Sequence, residues 1–179
     1  MPLATVLGVE FVIEARRYDD PEVEPLIDAV QEEYVRLYGG RDTDEMDPAL
    51  FEPPLGLFLL GRLDGAAVAS GGYRVIEPGV AEIKRMYVAE GARGRGLARR
   101  MLAELERSAA AAGATRMVLN TGYLQREAIA LYESSGYAAI DAFGHYAAYK
   151  TALFFGKSLC EDGMRGRDRA REVGLGTSA

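Results

Sequence analysis

The sequence predicts one α+β domain, and three observations lead there. Its 179 residues are 49% hydrophobic and 27% charged, the composition of an ordinary globular domain with enough chain for a sizeable core. A strand and a helix come first, then a run of strands joined by tight turns, then a helix–strand–helix passage before the last strands. The change of grammar falls at a glycine-rich turn, Gly91-Ala-Arg-Gly-Arg-Gly96.

The elements follow in order. Val9 to Arg17 alternates and is rich in β-formers, which predicts a strand. Asp19 and Glu22 have the spacing of a capping box, with Pro21 between them, so a helix is expected to begin there. Val23, Leu26, Ile27, Val30, Tyr34 and Leu37 form one helical stripe that ends at Gly39-Gly40. Arg41 to Leu55, with its prolines and acidic residues, reads as a loop with at most one helical turn. Gly56–Leu63 and Ala66–Ile76 are strands around Asp64-Gly65, a strong hairpin signal. Pro78-Gly79 turns the chain into a third strand, Val80–Val88.

Leu97 to Ala112 carries Leu97, Met101, Leu102, Leu105 and Ala109 at helical spacing and is rich in alanine. Thr115–Thr121 is a short strand, and Gln125–Ser135 is a helix closed by Gly136. Tyr137–Phe143 and Thr151–Phe155 are the expected closing strands. The domain is placed at 1–159. Residues 160–179 hold four arginines, four acidic residues and four glycines and read as a peripheral tail.

Composition also excludes. The net charge of −6 argues against a nucleic-acid binder, which usually carries a basic face. The lone Cys160 and lone His145 weigh against an intrachain disulfide, a metal site and a Ser-His-Asp triad. The longest apolar run, Leu55–Leu60, falls far short of the ~20 residues of a spanning helix. Glu10 interrupts the apolar start and no basic stretch precedes it, which does not describe a signal peptide. A cytoplasmic protein is expected, with no membrane and no nucleic-acid partner.

The chemistry gathers at the glycine-rich turn. Such a turn ahead of a helix offers unpaired N–H groups at the positive end of the helix dipole, and its glycines let an anion approach the backbone. Arg93, Arg95, Arg99 and Arg100 add positive charge around it. It is not a P-loop, because no Gly-Lys-Ser/Thr follows. It is not the dinucleotide fingerprint, because Arg99 stands where a small residue belongs. From the turn alone, a diphosphate site and a solvated basic turn both remain open.

Arg93-Gly-Arg-Gly96-Leu-Ala98 resembles the Arg/Gln-x-x-Gly-x-Gly/Ala signature of the GNAT superfamily of acyl-CoA N-acyltransferases. Two further segments carry the likeness: the strand Glu82-Ile-Lys-Arg-Met-Tyr-Val88 before it, and Ala128-Ile-Ala-Leu-Tyr-Glu-Ser-Ser-Gly-Tyr137 after it. The resemblance implies a mixed, mostly antiparallel sheet of about six to seven strands flanked by about four helices. It implies acetyl-CoA or a close relative as donor, with the diphosphate on the backbone around Arg93, Gly94, Arg95, Gly96, Leu97 and Ala98; no metal is expected, from the lone cysteine and histidine. The pantetheine would run along Met86, Tyr87 and Val88 like an added strand, in a splay between that strand and Thr115–Thr121.

The reaction so implied is direct attack of a primary amine on the thioester. Only about one part in 10³ of an alkyl amine is neutral near pH 7, so a proton must be removed. Glu82 resembles the catalytic glutamate of the superfamily's histone acetyltransferases. Strict alternation would put Glu82, Lys84, Met86 and Val88 on one strand face, with Glu82 about 13 Å from Met86, so a water relay is expected. Tyr132 matches the family tyrosine that protonates the departing CoA thiolate. A backbone N–H from Met86–Val88 would hold the oxyanion. Gln125 stands where many relatives carry a cofactor-contacting asparagine.

Tyr146 and Tyr149 are candidates to line an acceptor pocket, while His145 reads as a packing or surface residue near it and Cys160 as incidental. Many members of the superfamily are dimers, so a homodimer is one reading, but the sequence offers no diagnostic interface and leaves the oligomeric state open. Another acyl-CoA, an oxygen nucleophile or a non-catalytic acyl-CoA sensor are the alternatives. Residues 1–50 hold thirteen acidic and four basic residues, whereas 84–107 hold seven basic and three acidic. The split predicts a cationic turn for the diphosphate and an acidic surface that draws a cationic amine.

Overall fold

The computed structural model describes residues 10–160. Seven strands form one mixed sheet: β1 (Phe11–Ala15), β2 (Gly56–Leu63), β3 (Ala66–Glu77), β4 (Val80–Val88), β5 (Arg116–Gly122), β6 (Ala138–Ala139) and β7 (Ala152–Ser158), in the spatial order β1-β2-β3-β4-β5-β7-β6. Three α-helices accompany it among the described residues: α1 (Glu24–Tyr38), α2 (Leu97–Ala111) and α3 (Arg126–Ser134). This is the expected α+β architecture with one helix fewer than anticipated. The proline-rich stretch after α1 forms only a short 3-10 turn, Pro48–Phe51, capped by the Asp47 carboxylate, which accepts from the Ala49 N–H.

The sheet separates two cores. On one face Phe51, Phe58 and Leu60 pack under α1 against Val23 and Leu26. On the other, Met101, Leu102, Leu105 and Ala109 of α2 pack on Leu59, Tyr73, Ile83, Met117 and Leu119. The predicted stripe of α2 is therefore its buried face. Helix α1 begins at Glu24, later than expected. The expected capping box does not form: the cap position is Val23, which has no side-chain cap, Asp20 accepts from the Glu22 N–H at 2.8 Å in the turn ahead of the helix, and Pro25 occupies the first turn. Asp19 instead pairs with Arg17 at the surface.

Two details of the sheet shape the site. First, β4 and β5 run parallel and pair only at Val80–Glu82 against Arg116–Val118. Beyond Glu82 they part, which opens a gap at their C-terminal ends. Second, β4 contains a bulge. Ser70 faces Tyr87 but Gly72 faces Lys84, so three steps on β4 match two on β3, and Arg85 adopts φ +54°. The extra residue breaks the predicted alternation. Ala81, Ile83, Met86 and Val88 lie on the α2 side, whereas Tyr87 packs on the α1 side. Glu82 and Lys84 therefore do not share a face with Met86 and Val88.

At the far edge, the expected strand Tyr137–Phe143 contracts to Ala138–Ala139. The chain leaves the sheet after Ile140, Phe143 meets Phe154 edge to face at 5.4 Å, and Gly144 turns with φ +62°. The segment that follows becomes a loop carrying Tyr146 and Tyr149. The predicted tail lies, apart from Cys160, outside the described residues.

Candidate functional site

A cleft of about 510 Å³ opens where α1, α2 and α3 converge on the end of β4. Its floor is the Met86-Tyr87-Val88 segment, and its rim is the turn Arg93, Gly94 and Gly96 with Leu97 and Ala98. Gly94 and Gly96 have φ of +75° and +74°, the left-handed region that glycine enters without strain. Gly96 caps α2 with no side chain, so the first-turn amides of the helix are left for a ligand. Arg95 is exposed and is not part of the cleft wall.

The arginines divide by role. Arg99 lines the cleft and donates to the hydroxyls of Ser134 and Ser135. Arg100 turns away to the Phe11 carbonyl and ring. Arg93 lines the cleft but is bound into the protein: its Nε donates to the Val88 carbonyl at 2.9 Å, and it pairs with Glu33 at 2.8 Å. Its side chain pins the turn to the end of β4, and its backbone faces the cleft.

Tyr132 and Gln125 line the same cleft. Tyr132 is 6% exposed, edge to face with Tyr137 at 5.6 Å. Burial, and secondarily Tyr34, hold its phenol well above the ordinary tyrosine range, so it is protonated at neutral pH. The Gln125 side-chain oxygen accepts from the Thr121 hydroxyl and the Gly122 N–H, both at 2.9 Å. Its NH₂ group lies toward the Tyr34 hydroxyl.

Glu82 sits elsewhere. It lines a separate hollow with Arg74, Arg116 and Val118 near the paired ends of β4 and β5. Its side chain is 5% exposed, and both oxygens are engaged, one by Arg74 at 2.9 Å and the other by Lys84 at 3.0 Å. Asp44 closes this cluster, meeting Arg74 and Lys84 at 2.8 Å each. The structure thus brings together Tyr132, Gln125 and the turn residues, and keeps Glu82 apart from them.

A second pocket, of about 340 Å³, lies on the other side of the gap, and Gln125 lines both. Tyr34, Tyr38, Tyr146 and Tyr149 wall it, with Arg41, Asp42 and Asn120. Asp42 binds Arg85 and the Tyr146 hydroxyl, and accepts from the Asp44 N–H at 2.9 Å. Burial works to raise the Asp42 carboxyl, but Arg85 and the Tyr146 hydroxyl outweigh it and hold it below the ordinary range. Burial pushes Tyr34 up to about 12, against the lowering pull of Arg85. The Tyr38 hydroxyl accepts from the Leu124 N–H at 3.2 Å and leans on Gly122, where a Cβ would lie 1.9 Å from it. Only glycine fits that position, and the contact carries the end of α1 across the mouth of the gap.

Residues 24–137 match the sequence profile of the Acetyltransferase (GNAT) family. The chain belongs to the GNAT acetyltransferase family. It is 36% identical over 124 residues to the IAA acetyltransferase of Azospirillum brasilense, covering 69% of this chain and 81% of that one. A Klebsiella pneumoniae structure ascribed to the acyl-CoA N-acyltransferases superposes with a TM-score of 0.72 at 30% identity, over 84% of this chain and 98% of that one. A GNAT acetyltransferase of Elizabethkingia anophelis, solved with acetyl-CoA bound, shares the fold with a TM-score of 0.61 at 15% identity, over 83% and 97% of the two chains. This GNAT chain is accordingly an acyltransferase, and no helix among the described residues is long and apolar enough to cross a membrane.

Within this GNAT domain, sequence reasoning missed Tyr34, Asp42 and Arg85. Tyr34 belongs to an amphipathic stripe and reads as core. Arg85 is hidden by the bulge. Asp42 stands in an acidic loop that gives no sign of its partners. The one available signal was the loop's position directly after the double glycine that ends α1. Tyr146 and Tyr149 do line the second pocket. His145 contacts the Thr43 hydroxyl at 3.0 Å and lies outside the pocket wall.

Proposed function

We propose that this protein transfers the acetyl group of acetyl-CoA to a primary amine by direct attack on the thioester. The observation that carries the reading is the gap between β4 and β5, entered from one side by the cleft under α2 and from the other by the tyrosine-walled pocket. The diphosphate lies on the amides around Arg93–Ala98, with Arg99 beside it, and the pantetheine runs along Met86–Val88. Beyond Glu82 that segment has no β5 partner, so its edge is open on that side, and an N–H there holds the oxyanion.

The amine nitrogen bonds to the acetyl carbon, the C–S bond breaks, and one proton leaves nitrogen while one reaches sulfur. Tyr132 supplies the proton to sulfur. Its environment keeps it protonated, as an acid in that role must be. Glu82 receives the amine proton through water, and its engagement by Arg74 and Lys84 makes that route indirect. Gln125 orients groups from both pockets with its NH₂. The exposed free thiol of Cys160 suits a reducing compartment such as the cytoplasm. The test is release of CoA thiol from acetyl-CoA across a panel of amines. Turnover with at least one amine is expected, and acetyl-CoA binding without turnover on a broad panel would point to a sensor instead.

A further inference from the structure

The pocket opposite the donor cleft has a chemistry of its own. Its volume is at the lower end for small-molecule sites, which fits a compact acceptor rather than a long one. Tyr146 and Tyr149 meet edge to face at 5.1 Å, and Tyr149 and Tyr38 remain 50% and 36% exposed. Large aromatic faces left open around a hollow are ready partners for a ring.

Charge then narrows the choice. Asp42 is the only carboxylate among the described residues that line this pocket. It is already spent on Arg85, the Tyr146 hydroxyl and the Asp44 N–H. No carboxylate of the wall is left to hold a cation. Arg41 is the one lining cation. It meets Asp28 through a single nitrogen at 2.9 Å, with the two side chains 58% and 57% exposed. An exposed pair of this kind holds weakly and gives way to a better partner. The remaining donors of the guanidinium form a fork that fits a carboxylate in a bidentate way.

We propose that the acceptor is a compact primary alkyl amine that also carries an aromatic ring and an acid group. The ring packs among the tyrosines, the acid rests on Arg41, and the nitrogen points to the β4–β5 gap. This rests on the acetyltransferase reading above and replaces the purely cationic acceptor that the charge split predicted.

The test measures CoA thiol release by the full chain with four acceptors. These are phenylalanine, 2-phenylethylamine (which lacks only the carboxylate), alanine (which lacks the ring) and putrescine. The expected kcat/KM for phenylalanine exceeds each of the others by about tenfold or more, the scale of one charged hydrogen-bonded contact. In Arg41→Gln the ratio of phenylalanine to 2-phenylethylamine should fall close to one, through KM rather than kcat. A wild-type preference for 2-phenylethylamine or putrescine overturns the proposal and leaves the acetyltransferase reading standing. So does an Arg41→Gln variant that lowers both aromatic acceptors alike. Binding of acetyl-CoA with no thiol release from any amine overturns both.

Discussion

The cleft proposed for the donor and the pocket proposed for the acceptor face each other across one gap but are built from different materials. The donor cleft is made of backbone: a strand end, two left-handed glycines and the open first turn of α2. The acceptor pocket is made of side chains from the end of α1, the loop after it, β5 and the loop before β7, locked by buried ion pairs. Main-chain recognition depends on local conformation, which neighbouring residues dictate. Side-chain recognition here depends on partners such as Asp42 and Tyr146, 104 positions apart.

The contrast can be broken in four ways. The largest effect is expected where both sites meet the chemistry. Tyr132→Phe should lower kcat by about 10²–10⁴-fold, the usual contribution of a general acid, with the Kd for acetyl-CoA nearly unchanged. Rapid-quench turnover alongside calorimetric binding separates the two. A kcat near wild type would remove Tyr132 from the mechanism and leave the cleft as a binding site only.

The second prediction tests the side-chain half. Asp42→Asn strands the Arg85 guanidinium, which is 4% exposed, and should cost about 3–5 kcal/mol of stability, as removal of one partner from a buried pair does. The sign with pH follows. Asp42 and Asp44 are held below the ordinary aspartate value of 3.8, so their stabilisation is complete above roughly pH 5. It is lost as pH falls through their lowered values. Urea midpoints between pH 7 and pH 3 should fall steeply for the wild type and less for Asp42→Asn. Parallel curves would mean that Asp42 is not held by Arg85.

The third tests the backbone half. Gly96→Ala forces a side chain into the left-handed region at a cost of about 1–2 kcal/mol. Nothing lies within 4 Å of the added Cβ, so the loss should come from conformation alone and appear as weaker acetyl-CoA binding and a lower Tm. The smallest effect distinguishes neighbouring arginines. Arg99→Gln should weaken acetyl-CoA by a few-fold, in line with about 0.3–1 kcal/mol for one charge near a helix N-terminus. Arg100→Gln should leave the Kd unchanged, since its side chain faces Phe11. Equal losses in both would return the basic turn to a diffuse electrostatic role.

The same division explains how much could be read from the sequence. The turn at Arg93–Ala98, the buried stripe of α2 and the hairpin at Asp64-Gly65 are local features, and they stand where the residues predict. Gln125 and Tyr132 reach the cleft because α3 follows its own periodicity. The bulge was illegible. The alternation of Glu82 to Val88 looks regular on paper, and only pairing with β3 reveals the added residue. The start of α1 moved because Asp19 pairs with Arg17 and Asp20 holds Glu22 in a turn ahead of the helix. The acidic surplus of residues 1–50 carries a further lesson. Glu33, Asp42, Asp44, Glu14 and Glu22 pair with Arg93, Arg85, Arg74, Lys84 and Arg62. A charge asymmetry along the chain has become internal neutralisation in space.

The added residue in β4 acts as a phase shift. Ahead of Arg85 the strand keeps one parity of inside and outside, and beyond it the other. Drawn as a regular strand with the same residues and no bulge, β4 would turn Met86 toward α1 and Tyr87 toward α2. The floor of the donor cleft would then present the wrong edge to its ligand. In this strand the backbone conformation of one residue, as much as the identity of its neighbours, decides which side chains floor the cleft.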